Sequence, residues 1–553
     1  MELPMQRQMR ALLLRINQSL SNINLMKYGI TLLCLLLAGF SGISAQRQVP
    51  EDIDIEQIRK LQYAQLAISN LYVDSVDQKK LAEDAINGML EKLDPHSSYT
   101  NAEQTKKLNE PLEGNFEGIG VQFNMLDDTL VVIQPTSKGP SEKAGIVAGD
   151  RIVSVDGEVI AGVKMERDSI MRKLRGPKGT KVLLGVVRHG VRGLLTFNLT
   201  RDKIPVNTVD AVYMIAPGVG YIHLDSFGAT SGKEIHEAIA SLKEKEMKSL
   251  IFDLQMNGGG YLGAAAEVAS EFLPSGSLVV YTEGRTSPRQ VLNASGGGLF
   301  RNGRLVVLVD EYTASAAEIV SGAIQDHDRG TIVGRRTFGK GLVQRPVELP
   351  DGSMIRLTVS HYYTPSGRCI QKPYVKGDKE QYGKDLINRF DHGELMHADS
   401  IRLDSTKVYK TLVKGRTVYG GGGVMPDVFV PLDTAAYTPY YRAISRNNLI
   451  TLAALKYADE SRKDIKRKYK DFSDFQDHYQ VPQALIDDIE KKARDKGIKP
   501  KDEAERGETL EDLRFMLKAL VAYNVWDRSE YFRIINTRND IVKKAIEVVR
   551  AKD

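Results

Sequence analysis

The stretch Leu305-Val-Val-Leu-Val-Asp-Glu-Tyr-Thr-Ala-Ser-Ala-Ala-Glu318 decides how this chain is read. Its first half, Leu305 to Asp310, is an apolar, β-branched run, the pattern of a strand buried on both faces. A helical pattern then runs from Ser315 to Gln325. A serine at a strand-to-helix junction has two readings. Ser315-x-x-Glu318 fits a capping box, with the glutamate reaching back to the helix end, and on the local pattern this is the commoner arrangement. The other reading is a nucleophile, which requires a base.

A base stands 25 residues on. Lys340 lies in the glycine-flanked turn Phe338-Gly-Lys-Gly341 between two strand-like runs, and Gln344 follows four residues later. Lysine has a reference pKa of about 10.4. Burial between apolar walls lowers it, and a neutral amine can then take a serine proton. Gln344 can hold that amine by a hydrogen bond without adding charge. The same turn nearly matches a P-loop, Gly334-x-x-x-x-Gly339-Lys340, but Gly341 replaces the Ser/Thr that binds magnesium. Leu342 to Pro346 also reads as a strand, whereas a P-loop opens a helix.

Asn257-Gly-Gly-Gly260 ends a strand and opens a helix over Tyr261 to Leu273. Gly258-x-Gly260-x-x-Gly263 satisfies a dinucleotide fingerprint, with Glu283 near the distance of a ribose acid. Its strand is not the first of its domain, however. The alternative is an oxyanion hole, in which exposed N–H groups at a helix start attract developing negative charge. A plain tight turn suffices if Ser315 is inert.

Around these segments, strands and helices alternate from Pro205 onward, an α/β layout that includes Val219–Leu224, Ser231–Glu246, Ser249–Leu254 and Leu278–Tyr281. Gly420-Gly-Gly-Gly-Val-Met-Pro-Asp427 leads a last strand, and residues from Tyr440 onward read as charged helices. Upstream, residues 51–112 read as helices, with Ile55, Ile58, Leu61, Ala64 and Leu66 at helical spacing, closed by the turn Leu93-Asp-Pro-His-Ser-Ser-Tyr99. Between these regions lie short strands and two helices led by Gly118-Ile-Gly-Val121, with a tight turn at Asp156-Gly157. Together with Ala144-Gly-x-x-x-Gly-Asp150 and Leu174-Arg-Gly-Pro-x-Gly-Thr180, this order resembles a PDZ domain. Such domains add a chain terminus to a sheet edge while loop N–H groups hold its carboxylate.

With 553 residues the chain exceeds one core, and several domains are expected. Its net charge of +5 is small for this size and gives no reason to invoke nucleic acid. Lys27, the apolar run Ile30 to Phe40, and Ser41-Gly-Ile-Ser-Ala45 follow the order of a cleaved export signal, with Met26 as the expected start. Of two cysteines, Cys34 lies in that signal and Cys369 is left without a partner, so no intrachain disulfide is expected. Export without a disulfide suits a bacterial periplasm or cell surface. Neither a His-Glu-x-x-His nor a paired-cysteine spacing occurs, and no Gly-x-Ser-x-Gly elbow is present.

Taken together and in this order, the PDZ loop, the Asn-x-Gly-Gly turn, the Ser-Ala-x-x-Glu segment and Gly-Lys-Gly resemble the C-terminal processing peptidases, also called tail-specific proteases. The resemblance spans Leu93 to Asp427, and the sequence from Thr364 to Tyr374 and the helical tail are similar to Bacteroidetes members. It implies a signal at 1–45, a helical region at 46–112, a PDZ domain at 113–203, an α/β, crotonase-like Ser-Lys peptidase core at 204–435, and a helical C-terminal domain at 436–553. It assigns Ser315 as nucleophile, Lys340 as general base and Gln344 as the residue orienting the lysine. The backbone N–H groups of Gly259 and Ala316 become the oxyanion donors, each typically worth roughly 3 kcal/mol. Gly118, Ile119, Gly120 and Val121 become the tail-binding loop, and Arg175 a sensor of the bound tail. The implied partners are protein or peptide substrates with free C-terminal tails, and a second copy of the chain through the helical ends. No cofactor is implied, no nucleic acid, and membrane only through the export signal. Departures are Gln255 and Gly258, where the family usually carries arginine and proline, and Ala317, where a second serine is common. Competing readings are a silent tail-binding scaffold and a nucleotide-binding enzyme using Gly258 to Gly263.

Overall fold

The computed structural model describes residues 54–434 and 437–551. The export signature, Met26 and Cys34 lie outside the described residues. Among the described residues no helix is long and apolar enough to cross a membrane. The chain divides at Val73. In the first unit, the helix Ile55–Leu71 starts at Asp54, whose carboxylate accepts from the N–H groups of Glu56 and Gln57. Everything below concerns the second unit, from Asp74 onward.

The mostly parallel sheet has six strands, in the order Val209–Ala216, Val219–Leu224, Ser249–Asp253, Arg304–Val309, Thr331–Gly334 and Val428–Phe429. All neighbours run parallel except the first pair. A parallel sheet must be covered on both faces, which is why Leu305 to Val309 reads as an unbroken apolar run. One face packs the helices Ser231–Glu244, Leu262–Ser270 and Ala316–Asp326 through Ile222, Phe252, Val307, Ala317 and Val320. On the other face Val306, Leu308 and Ile251 meet Ile541, Val542, Ala545 and Val549 of the chain's last helix, Asp540–Arg550. Each such fully buried aliphatic side chain contributes roughly 1.5–3 kcal/mol. The helical tail therefore does two things. Residues from Pro439 to Val525 build a core of their own around Ile444, Phe475, Ile489 and Leu517, and the last helix returns to close the catalytic sheet.

A second sheet carries the strand that follows Lys340. The long strand Met354–Tyr363 pairs with Leu342–Glu348, with Leu278–Glu283 and with the short strand Ser98–Thr100. The segment Leu93 to Tyr99 is thus more than a closing turn: it runs straight into this sheet, with Ser98 opposite Arg356.

The PDZ-like domain is a sheet in the order Val121–Leu126, Thr129–Pro135, Arg151–Val155, Lys181–Val187 and Leu195–Thr200. Asp127 and Asp128 make its first tight turn with φ of 46° and 57°, and Asp156-Gly157 makes a second at 50° and 83°. The strand Val121–Leu126 lies at the edge of the sheet, and Asn115–Gly118 pairs with Asp202–Pro205 where the chain enters and leaves.

Candidate active site

The turn that presents Ser315 is folded by one buried carboxylate. Asp310 accepts the N–H groups of Tyr312 and Thr313, each at 3.0 Å, which reverses the chain as it leaves the strand. It also accepts the N–H of Met256 at 3.0 Å, tying this turn to the neighbouring glycine-rich one. Burial first, and the adjacent Glu311 second, push Asp310 up to about 6. The result is a serine at φ 57°, ψ −117°, directly before the helix Ala316–Asp326. A non-glycine residue held there stores roughly 1–3 kcal/mol of strain. The sharp turn lifts the side chain out of the sheet without a Gly-x-Ser-x-Gly sequence.

Gly259 fits against this turn. Its φ is +96°, and a Cβ added there would lie 2.7 Å from Ser315 Cβ and 2.9 Å from the Ala316 nitrogen. The glycine fingerprint is therefore filled by the serine turn, with no space between them for a pyrophosphate. Glu283 lies on the other sheet, paired with His361. The two expected oxyanion donors fare differently. Ala316 is the first residue of its helix, so its N–H has no intrahelical partner. The Gly259 N–H instead donates to Asn257 Oδ1 at 2.8 Å, and Asn257 is itself fixed by donating to the Leu224 carbonyl at 2.7 Å. In this structure Gly259 supplies the close approach and its N–H is engaged in an Asx turn.

The Lys340 turn is joined to the Ser315 turn by Glu318. This fully buried carboxylate accepts the N–H of Ser315 at 2.8 Å, of Gly339 at 2.7 Å and of Lys340 at 2.8 Å, and the Thr337 hydroxyl at 2.5 Å. The capping glutamate is thus the knot between the two loops. Burial pushes it up to about 7 despite these four donors. Tyr362 adds a second clamp. Its buried hydroxyl donates to the Lys340 carbonyl at 2.5 Å and lies 3.1 Å from the Ser315 carbonyl.

Ser315, Ala316, Gly259, Lys340 and Gln344 line one cavity of about 440 Å³, walled by Leu112, Leu262, Ile319, Leu342 and Met354. Burial lowers the Lys340 pKa from its ordinary value; Glu318 opposes this, Arg356 reinforces it and Asp94 opposes it. Gln344 is re-aimed by a register shift between Val343 and itself, and its Nε2 donates to Thr358 Oγ1 across the strand pair at 3.3 Å. Sequence reasoning missed Glu318, Tyr362, Arg356 and Thr358 as site residues. Only Glu318 carried a signal, in the capping pattern.

The remaining expected residues lie elsewhere. Gly118 to Val121 form the loop before the edge strand, and the Ile119 and Gly120 carbonyls turn inward to accept from Ser141 and Thr136. Arg175 pairs with Glu110, just after the helix Ala102–Asn109, and its guanidinium lies 4.8 Å from the Phe116 ring centre. His223 is buried against Phe532 and Asp210, away from the cavity. His96 bonds Tyr382 at 2.9 Å, and burial, then the Lys340 charge, push it down to about 4, leaving it neutral. Among the described residues no cluster of His, Cys, Asp or Glu is arranged to hold a metal ion.

Peptidase family S41 matches residues 218–381, and a PDZ domain matches 118–199. An activating protease CtpB N-terminal domain matches 40–104, and a family of unknown function matches 440–527. The chain is 38% identical over 304 residues to a carboxy-terminal-processing protease of Bartonella bacilliformis, covering 54% of this chain and 69% of that protein. It is 35% identical over 387 residues to the carboxy-terminal processing protease CtpA of Bacillus subtilis, covering 70% and 79%. Among solved structures, a photosystem II D1 C-terminal processing protease aligns over 68% of this chain and 94% of its own, at 28% identity and a TM-score of 0.33. The chain belongs to peptidase family S41 and is a PDZ-containing serine protease of the carboxy-terminal processing kind.

Proposed function

We propose that the chain cleaves peptide bonds with Ser315 as nucleophile, Lys340 as general base and Gln344 as the group that orients the lysine. The observation that carries this reading is the single apolar-walled cavity lined by all three side chains, in which burial lowers the Lys340 pKa. Lys340, as the neutral amine, takes the Ser315 hydroxyl proton while Oγ bonds to the scissile carbonyl carbon. The tetrahedral oxyanion lies at the Ala316 N–H, and at Gly259 once its bond to Asn257 is given up. The lysine ammonium then protonates the leaving amine as the C–N bond breaks. Water attacks the acyl ester, and Lys340 takes its proton and returns one to Ser315. A fluorophosphonate probe tests the nucleophile: digestion and mass spectrometry are expected to find the adduct on Ser315, and an adduct elsewhere would sink the assignment.

The sign of the pH dependence follows from the base. Only neutral Lys340 is competent, so kcat/KM rises with pH until the lysine is deprotonated, below its ordinary range. Arg356 lines the same cavity and its charge lowers the lysine pKa, so Arg356→Gln is expected to move the rising limb to higher pH. An unmoved limb would mean that another group titrates.

Substrates are proteins with free C-terminal tails, which enter the exported, periplasmic enzyme through the PDZ groove. The unpaired edge of Val121–Leu126 supports strand addition, and the inward-turned carbonyls of Ile119 and Gly120 support a carboxylate site in that loop. Arg175 couples this groove to the catalytic unit through Glu110. The wild-type enzyme is expected to favour a free over an amidated C-terminus several-fold, read as the ratio of the two kcat/KM values, and Arg175→Ala is expected to reduce that ratio. An unchanged ratio would remove Arg175 from sensing.

A further inference from the structure

The lysine's orienting amide is itself oriented from outside the peptidase core. Asp94 belongs to the segment Leu93 to Tyr99, which enters the base-carrying sheet beside Met354–Tyr363. Its Oδ1 accepts the Thr358 hydroxyl at 2.8 Å, and Thr358 Oγ1 accepts Gln344 Nε2 at 3.3 Å. The carboxylate is fixed in turn by the His96 N–H at 2.9 Å, the Ser97 N–H at 3.0 Å and the Ser97 hydroxyl at 2.5 Å, and these bonds, opposing its burial, hold its pKa below the ordinary carboxylate range.

The direction of each bond follows from the one before. An ionised carboxylate only accepts, so the Thr358 proton points to Asp94. The Thr358 oxygen must then act as acceptor toward Gln344, which turns the Gln344 amide NH2 away from the cavity. Its carbonyl oxygen is left as the end of the amide that can accept a Lys340 N–H. We propose that Asp94 and Thr358 are positioning residues for catalysis, a relay of fixed hydrogen-bond polarity that holds the Gln344 carbonyl toward Lys340. The proposal rests on the reading of Gln344 given above. It gives the segment before the PDZ-like domain a part in the peptidase site, because Ser98–Thr100 is the strand that docks Asp94 beside Thr358.

Removing the Asp94 carboxylate removes the polarity of the relay. In Asp94→Ala the Thr358 proton loses its acceptor and is free to point at Gln344 and turn its amide round, whereas Asp94→Asn can keep its Oδ1 on Thr358 and on the His96 and Ser97 N–H groups. Thr358→Val breaks the relay while leaving Asp94 its bonds from His96 and Ser97, and Thr358→Ser restores the hydroxyl.

The test measures kcat and KM on the pH plateau, so that a shifted lysine titration does not enter, for these variants alone and combined with Gln344→Ala. Asp94→Ala and Thr358→Val are each expected to lower kcat about tenfold, with KM within about twofold, and Asp94→Asn and Thr358→Ser to recover most of the loss. In the Gln344→Ala background Asp94→Ala and Thr358→Val are each expected to add less than about twofold, since the amide the pair orients is gone. Full additive losses in that background would assign the pair a merely structural role and overturn the relay. Wild-type kcat in Asp94→Ala and Thr358→Val, with Gln344→Ala impaired, would also overturn it while leaving the catalytic assignment standing. Wild-type kcat in Gln344→Ala itself would instead remove Gln344 from the mechanism, and the relay with it.

Discussion

Lys340→Ala is expected to lower kcat by about ten-thousand-fold, with KM little changed, on an unfolded protein substrate. The argument begins with what surrounds the amine. Lys340 sits in a cavity walled by Leu342, Ile319 and Met354, with Ser315 on the same wall, and burial disfavours its charge. No described histidine replaces it: His96, the one whose titration Lys340 itself affects, is bonded to Tyr382. Without the amine, the Ser315 hydroxyl keeps its proton, and only the oxyanion donors and substrate binding remain to accelerate the reaction. Lys340→Arg is expected to be equally inactive, because a guanidinium stays protonated at any working pH. Ser315→Ala should match Lys340→Ala, and the double variant should lose nothing further, since the two act as a unit. A Lys340→Ala enzyme within tenfold of wild type would refute the mechanism.

How much of this was legible in the sequence depended on whether a residue's partner was near it in the chain. The catalytic sheet announced itself, because parallel strands covered on both faces must be continuously apolar, as Leu305 to Val309 are. The tight turns at Asp127-Asp128 and Asp156-Gly157 were equally visible, since positive φ restricts residue choice. Ser315 and Lys340 were singled out through the order and spacing of their motifs, and the fold brings both to one cavity. Glu318 was seen only as a cap, because its bond to the Ser315 N–H is local while its bonds to Gly339 and Lys340 cross more than twenty residues. Asp94 was hidden more deeply: its contact with Thr358 spans 264 residues and depends on a three-residue strand. The engagement of the Gly259 N–H by Asn257 could not be anticipated either, since an Asx turn and an open oxyanion turn share the same Asn-x-Gly sequence. The docking of the last helix on the sheet was likewise invisible, because Ile541, Val542, Ala545 and Val549 look the same whichever core they enter.

Glu318→Ala is expected to be the most damaging single change to the architecture of the site. The carboxylate lies on the helix behind Ser315 and never reaches the cavity wall, so its role is to hold rather than to react. Removing it strands the buried N–H groups of Ser315, Gly339 and Lys340, each at a cost of about 1–3 kcal/mol when unpaired. Water entering the vacated space recovers part of this, which places the net loss at about 3–5 kcal/mol, at the upper end for one substitution. The strained Ser315 backbone then loses the bond that opposes its relaxation, and activity is expected to fall at least a hundredfold. Glu318→Gln separates this role from simple helix capping. The amide oxygen can keep the Ser315 and Lys340 N–H groups while its NH2 turns to Thr337, whose hydroxyl can reverse and accept. Gly339 alone is then stranded, so the glutamine variant should lie between wild type and alanine in both activity and stability. Hydrogen exchange reads the geometry directly: the amides of Ser315, Gly339 and Lys340 should all lose protection in the alanine variant, and chiefly Gly339 in the glutamine variant. A helix cap alone is worth about 1 kcal/mol and would leave the Gly339 and Lys340 amides protected in both. That outcome would reduce Glu318 to the local role its position in the sequence first implies.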